Sequence, residues 1–432
     1  MEMKLISIPE IGEERIPQDQ MEESTAVLLH RYFSEKIKVE FPSALNGHNY
    51  VLKVKDGIGQ LSLPERLTIQ LVPNAPLVNI FQMIEYTYKI RAAQYLEGIF
   101  CMDSLTNLFD QLALDLSKRV HDRVRKGLYQ DYITKIEDMN YLRGRLDQVA
   151  TMRNYMRGDT RFTCEYQEHT PDIEENTIVA WTLFKVSKFG IKDEYAKNEI
   201  RKAYHVLRNT VTVKKHISQD CLNVTYNRLN EDYRYIHRLC QFFLDQVTTE
   251  TDENKKSYIP ITLSMKVLFR SFVAEWIRSN LPRDLALRVK ERTDIEPHWG
   301  IKDEMDIVIY DADTSVPKYL VSTIYNPEKD DIKNDIYRGV SLAVRRGCDQ
   351  VVLVYPHFLE NTVDTNIGKI TIKAIPFPLE GDLNKAGRRF LEGLFRNHKK
   401  KIVVHSEENL FSRTLREDTP ALERTKASEE SI

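Results

Sequence analysis

Asp306 lies in the apolar run MDIVIYD, where a short strand would present a carboxylate close to one end. In metal-dependent phosphodiester hydrolysis such an acid is joined by an acid and a lysine, one residue apart on the next strand. Together they hold Mg²⁺ and activate a water. The next strand expected here spans residues 318–325 (KYLVSTIY), and the matching positions read Ser322, Thr323 and Ile324. A hydroxyl does not supply a carboxylate's charge, and isoleucine neither donates a proton nor stabilises a developing oxyanion. Asp306 is therefore a candidate metal ligand and catalytic acid in an incomplete group, with Ser322 and Ile324 at the degenerate positions. Mg²⁺ is expected only if other residues complete the site, and the helix that follows offers Lys333, Asp335, Tyr337 and Arg338. Acids at strand ends also cap turns, which is the structural alternative for Asp306.

A second constellation lies in the middle of the chain. Arg143, Arg145, Arg153, Arg157 and Arg161 are interleaved with Tyr141, Tyr155 and Phe162, and the only acids from Arg143 to Arg161 are Asp147 and Asp159. Planar guanidinium groups beside aromatics suit phosphate or a partner's carboxylates. The alternative is a solvated, loop-rich face.

Other chemistries are excluded by what is missing. Gly368–Lys369 is followed by Ile370 and has no upstream glycine at the required spacing, so the chain is not expected to bind nucleotide through a phosphate loop of its own. GxGxxG, HExxH and GxSxG are absent, and the histidines, His357 included, are scattered. Five cysteines lie far apart without a CxxC pair, which predicts reduced, buried thiols rather than disulfides or zinc. Lys plus Arg number 62 against 64 Asp plus Glu, so any polyanion contact must come from a local patch. No run of 18 apolar residues occurs and the first nine residues do not read as a leader, so a cytoplasmic protein without membrane contact is expected.

The elements that must position these groups fall into segments. Alternating apolar residues at 49–55 and 67–72 predict a small β-rich module over 1–95. Three- and four-residue spacing at 80–90, 105–132, 176–188, 194–207 and 232–247 predicts a mostly helical middle, 96–250. The polar run 248–256 marks a boundary. Beyond it come a helix at 261–279, strands at 304–310 and 318–325, a helix at 331–346, a strand at 350–355, a strand after 369 and a helix near 384–397. These make an α/β domain over 251–405, followed by a polar tail at 406–432, predicted to be disordered. The fold class expected is α+β multidomain, and the element order of the last domain is that of PD-(D/E)XK nucleases.

With these residues in place, the chain resembles the McrC family, the subunit that partners the McrB GTPase in 5-methylcytosine-specific restriction. The resemblance extends from about Gly57 to Phe395. It is carried by LTIQLVPNAPLVNIFQMIEYTY, by GLYQDYITKIEDMNYLRGRLD with its LRGR-type turn, and by RFTCEYQEHTPDIEENT ending in Glu175–Asn176. In the last domain it is carried by SMKVLFRSFVAEWI, MDIVIYD and DIYRGVSLAVRRGCDQVVLVYPH. Departures gather where catalysis would occur: Arg270 and Ser271 stand where relatives carry acids, Ser322-Thr323-Ile324 replaces Asp-x-Lys, and Arg338 replaces Gln. The resemblance implies a stalk that enters a McrB-type AAA+ GTPase ring, with the YLRGR turn as part of that surface. It also implies DNA, methylated or unmethylated, as a second partner. Three roles stay open: a non-cleaving adaptor, an Mg²⁺-dependent endonuclease subunit that uses Asp306 with relocated groups, or a distant nuclease-fold protein with no restriction role.

Overall fold

The structure, a computed structural model, describes residues 4–34, 36–63, 67–92, 102–188, 191–246, 261–282, 284–290, 306–325, 332–359 and 363–396. It is mixed α/β with several sheets. Two compact units form, one from residues 1–108 together with 251–432 and the other from 109–250. The polar run at 248–256 and the tail at 406–432 lie outside the described residues.

The chain opens with β1 (Lys4–Pro9), β2 (Glu13–Pro17), α1 (Glu23–Phe33), β3 (Ile37–Glu40), β4 (Asn49–Val54), β5 (Ile58–Leu63), β6 (Leu67–Val72) and α2 (Leu77–Tyr88). β2, β4 and β3 make one antiparallel sheet, while β1 runs parallel to β6, Lys4 against Leu67. Helix α1 adds to the β-rich reading: Ala26, Leu29 and Phe33 recur at helical spacing and join the core that holds Ile8, Leu52, Ile69 and Leu71. Each such fully buried side chain contributes roughly 1.5–3 kcal/mol of transfer free energy.

α3 (Met102–Lys126) leads into the second unit. The periodicity predicted helix as far as residue 132, but Gly127 adopts φ +92° and its N–H returns to the Val124 carbonyl, a glycine stop that ends the helix. There follow β7 (Asp131–Met139), β8 (Arg145–Leu146), α4 (Gln148–Met156), β9 (Phe162–Thr170), α5 (Glu174–Val186), α6 (Glu194–Arg208), α7 (Asp220–Asn223) and α8 (Tyr233–Gln246). The helical middle thus carries a three-stranded antiparallel sheet, ordered β7-β9-β8, that the sequence reading did not anticipate. Its helical part packs on apolar stripes, with Phe109 stacked near Phe242 at 5.4 Å.

The chain returns to the first unit with β10 (Ile261–Leu263), α9 (Met265–Ser279), β11 (Leu285–Lys290), β12 (Asp306–Asp311), β13 (Pro317–Thr323), α10 (Ile332–Arg346), β14 (Gln350–Tyr355), β15 (Asp364–Ile367), β16 (Ile370–Pro376) and α11 (Leu383–Leu394). The expected single helix at 261–279 is a strand and a helix, because Ser264 caps α9 by accepting from Val267 N. β10 pairs antiparallel with β5 and completes the sheet β1-β6-β5-β10. The second sheet has the order β11-β12-β13-β14-β16-β15, with β13, β14 and β16 parallel. Helix α10 lays Leu342 and Ala343 into the cluster formed with Val308, Leu320, Val351 and Leu353.

Aromatic packing and buried polar contacts bind the halves of the first unit. Tyr86 of α2 meets Phe272 and Trp276 of α9 at 5.7 and 5.0 Å. Gly387 lies so close to the Trp276 ring that any Cβ there would overlap it. Asn79 donates to the carbonyls of Leu379 and Gly381, and the Tyr325 hydroxyl donates to Glu10. Cys164, Cys221, Cys240 and Cys348 are free and buried, as expected, and Cys101 lies outside the described residues. No helix among the described residues is long and apolar enough to cross a membrane.

Candidate partner interface and the acid-bearing strand

β7 and β9 pair from Asp131 against Thr170 to Met139 against Phe162, a long two-stranded ladder. The chain between them turns back to lay β8 beside β9, Arg145 against Glu165 and Leu146 against Cys164, and then forms α4. Gly144 makes that turn possible: its φ is +69°, and a Cβ would collide with the Glu165 carbonyl oxygen and lie 2.8 Å from Tyr166 Cβ. Asp147 caps α4 by accepting from Ala150 N at 2.9 Å. Asp138 accepts from Thr163 Oγ1 and Asn154 Nδ2, which ties both strands to α4. Cys164 and Tyr166 are the only buried apolar side chains among the described residues of β7, β8, α4 and β9.

The rest of this small module faces outward. Tyr141, Leu142, Val149 and Tyr155 are exposed, Met152 is 57% exposed and Met156 79%. α4 has no buried residue at all. Folding would ordinarily bury side chains of this kind.

The five arginines do not form one set. Arg143 lies with its guanidinium 4.0 Å from the Tyr166 ring centroid, and the Tyr166 hydroxyl donates to Glu137. Arg145 stands 4.0 Å from Glu165. Arg161 is forked onto Asp159, with bonds of 3.0 and 2.6 Å, and holds that carboxyl down at about 2. Arg153 and Arg157, one turn apart at the end of α4, are exposed and have no ion-pair partner among the described residues.

Asn176, at the start of α5, holds the two legs of the module. Its amide donates to the carbonyl of Tyr129, just before β7, at 2.8 Å and to that of Pro171, just after β9, at 2.7 Å. Its oxygen accepts from the Tyr233 hydroxyl, which in turn accepts from Tyr129 N. Arg123 lies over the Tyr233 ring and pairs with Asp232. The preceding residue is fixed as well, because Glu175 O faces His237 Nε2 at 2.9 Å. A carbonyl only accepts, so Nε2 carries the proton and Nδ1 accepts from the Tyr226 hydroxyl. Burial pushes His237 down to about 4, which keeps the ring neutral. The Glu-Asn pair was visible in the sequence; Tyr233 and His237, in an ordinary amphipathic helix, carried no signal.

In the first unit, Asp306 opens β12, with Lys290 as its Cα partner across to β11; its side chain lies outside the described residues. On the other side Ile307 faces Val321, so the next rung of the antiparallel ladder brings the Asp306 backbone level with Ser322. The strand geometry therefore places the candidate acid and the first degenerate position together. Ile324, two residues on, packs against the cluster under α10, and its N–H bonds the Val354 carbonyl. Of the helix candidates, Asp335 accepts from the Tyr355 hydroxyl at 2.9 Å, while Lys333, Tyr337 and Arg338 are exposed. Arg270 and Ser271 are half-buried on α9. No group of three or more His, Cys, Asp or Glu able to hold a metal occurs among the described residues.

A family model described as "McrBC 5-methylcytosine restriction system component" matches residues 52–316. The Type IV methyl-directed restriction enzyme EcoKMcrBC of Escherichia coli (strain K12) is 23% identical over 217 residues, which are 48% of this chain and 60% of that protein. The chain thus spans less than two thirds of that relative's length. Among solved structures, a half-complex of Thermococcus gammatolerans McrB AAA+ hexamers with bound McrC superposes with a TM-score of 0.43 and 16% identity, covering 91% of this chain and 100% of that one. The cryo-EM structure of the Thermococcus gammatolerans McrBC complex gives 0.36 and 16%, covering 65% and 89%.

Proposed function

The chain belongs to the McrBC 5-methylcytosine restriction system component family, whose model covers residues 52–316, and from that premise we propose that it is a McrC-type subunit that docks on an AAA+ GTPase ring. The observation that carries this reading is the small β7–β9 module with α4. It is turned by Gly144, clamped at its base by Asn176, and carries exposed apolar side chains together with Arg153 and Arg157, which have no ion-pair partner among the described residues. Arg143 and Arg145 at the turn and Arg153 and Arg157 on α4 contact carboxylates or backbone carbonyls of the partner, with Tyr141, Leu142, Met152 and Met156 supplying the apolar area. Arg161 acts within the module, holding the 159–161 corner. The subunit works in the cytoplasm and acts on DNA with that partner.

The α/β part of the first unit is, in this reading, a PD-(D/E)XK-type fold that has lost its reaction. Three side chains would have to hold Mg²⁺ and activate water, and only Asp306 has the chemistry; Ser322 brings no charge, and Ile324 is engaged with the core. The residues present do not fit the ion, so no step through a metal follows. The competing reading, an active endonuclease subunit with Asp306 and relocated groups, is favoured by one contact alone: Asp335 near the end of β14, held by Tyr355.

The deciding experiment uses the purified chain with a McrB-type partner, GTP and Mg²⁺ on methylated and unmethylated DNA, beside Asp306→Ala. Stimulated GTP hydrolysis with intact DNA, the same in both proteins, is the expected result. Cleavage that disappears in Asp306→Ala would establish the endonuclease instead.

A further inference from the structure

At the C-terminal end of α5 two lysines lie over aromatic rings. Lys185 Nζ lies 5.1 Å from the Trp181 ring centroid and Lys188 Nζ lies 4.1 Å from that of Phe184. The rings form a strip, Trp181 to Phe184 at 5.4 Å and Phe184 to Tyr204 of α6 at 5.7 Å. Burial lowers the Lys185 pKa, and the positive charges of Lys188 and Lys215 act on it in the same direction. Over residues 185–215 there are nine Lys or Arg against three acids.

Those acids are already engaged. Glu194 pairs with Lys197 and Glu199 with Lys202, each at 2.7 Å, and Asp193 caps α6 through Tyr195 N. Lys214, next to Lys215, is 3.9 Å from Asp172. Among the described residues no carboxylate pairs with Lys188 or Lys215. Lys188 and Lys215 thus carry charge that no described carboxylate pairs, in a chain whose net charge is −2.

We propose that this patch, with Lys188 and Lys215 at its exposed centre, binds the phosphate backbone of duplex DNA. A polyanion is the ligand that repays such a cluster, because each neutralised phosphate releases condensed counterions. The aromatic faces favour duplex backbone over single-stranded bases, since ammonium groups already cover Trp181 and Phe184 and leave those faces closed to stacking. Contact of this kind is sequence-independent and positions DNA rather than reading it. The site is separate from the arginine module and does not depend on the partner assignment.

The test is fluorescence anisotropy of a labelled DNA duplex with the full chain over a series of salt concentrations, without Mg²⁺. Lys188→Gln with Lys215→Gln should weaken binding about tenfold at low salt and flatten the slope of log affinity against log salt by about two, one phosphate contact per lysine. Lys266→Gln, an exposed lysine of α9, should leave both unchanged, and melting curves should match the parent in every variant. Absence of duplex binding by the parent chain, or an unchanged slope in the double variant, would overturn the proposal. So would loss of GTPase stimulation in the double variant without DNA, which would make the patch a protein contact. Stimulation by the parent chain reads the partner assignment separately.

Discussion

Glu10 and Tyr325 meet across 315 positions of sequence, the hydroxyl of one donating to the carboxyl of the other at 3.0 Å in a site closed to solvent. Burial, opposed by the bonds from Tyr325 and Asn74 N and reinforced by Asp56, raises Glu10 to about 7. A carboxyl whose folded pKa lies above its unfolded value contributes stability that is complete below the unfolded pKa and is lost as pH rises through the folded one. The first unit should therefore weaken between about pH 4.5 and 7, by on the order of 3 kcal/mol from this group. Thermal melting across that window should show the decline in the parent and a flatter profile in Glu10→Gln, which should be the more stable of the two at pH 8. A parallel decline in both would assign the effect elsewhere.

Gly144→Ala should abolish the interface without unfolding the chain. The left-handed backbone costs about 1–2 kcal/mol for alanine, and the methyl collides with a backbone carbonyl that cannot move without breaking the β8–β9 pairing. Circular dichroism should hold while GTPase stimulation falls at least about tenfold. Full stimulation by this variant would remove the LRGR turn from the partner surface.

The arginines should separate by engagement. Arg153→Ala with Arg157→Ala should lower apparent affinity for the GTPase about tenfold, on the order of 1.4 kcal/mol. Arg161→Ala should act mainly on the melting temperature, since its guanidinium is spent on Asp159. Titration of the partner against each variant distinguishes the two effects, and equal loss in both would mean that Arg161 leaves Asp159 on binding.

Asn176→Ala removes both donors from the carbonyls of Tyr129 and Pro171 and strands the Tyr233 hydroxyl. A cost of about 2–4 kcal/mol is expected, from several buried groups left unsatisfied. Hydrogen exchange should show the base of the β7–β9 ladder opening first. Unchanged exchange there would mean that other contacts hold the legs.

Ile324→Lys tests the degenerate strand directly. Putting an ammonium against the α10 cluster should lower stability by about 1–3 kcal/mol and, even with Ser322→Asp, should give no Mg²⁺-dependent cleavage unless the strand end opens to water. Metal-dependent nicking by the double variant would show that only two residues separate this fold from activity.

Legibility followed burial. β14 at Gln350–Tyr355 and α10 ending at Arg346 lie where the sequence put them, because a run buried on both faces and a helix with one apolar stripe write strong periods. β7 and β9 were missed because their sheet exposes residues on both faces: Tyr132 and Ile136 are as open as Glu137 and Asp138, so no two-residue alternation survives. β10 was absorbed into the helix since its Ile-Thr-Leu is as apolar as the helix after it, and only the Ser264 cap separates them. The arginines were legible as a composition, but their division into engaged and unengaged groups depends on Asp159, Glu165 and Tyr166 in three dimensions.

The pairing of β10 with β5 also sets an order on synthesis. β5 ends at Leu63 and its partner strand begins at Ile261, so the sheet edge leaves the ribosome roughly 10–40 s before the strand that closes it, at about 5–20 residues per second. The inserted unit has that interval to fold, while the open edge of β5 must be kept from pairing with a neighbouring nascent chain. Force-sensitive arrest of translation should register two events, one when residue 250 has emerged and another only after β10; a single late event would mean that the insert waits for its host.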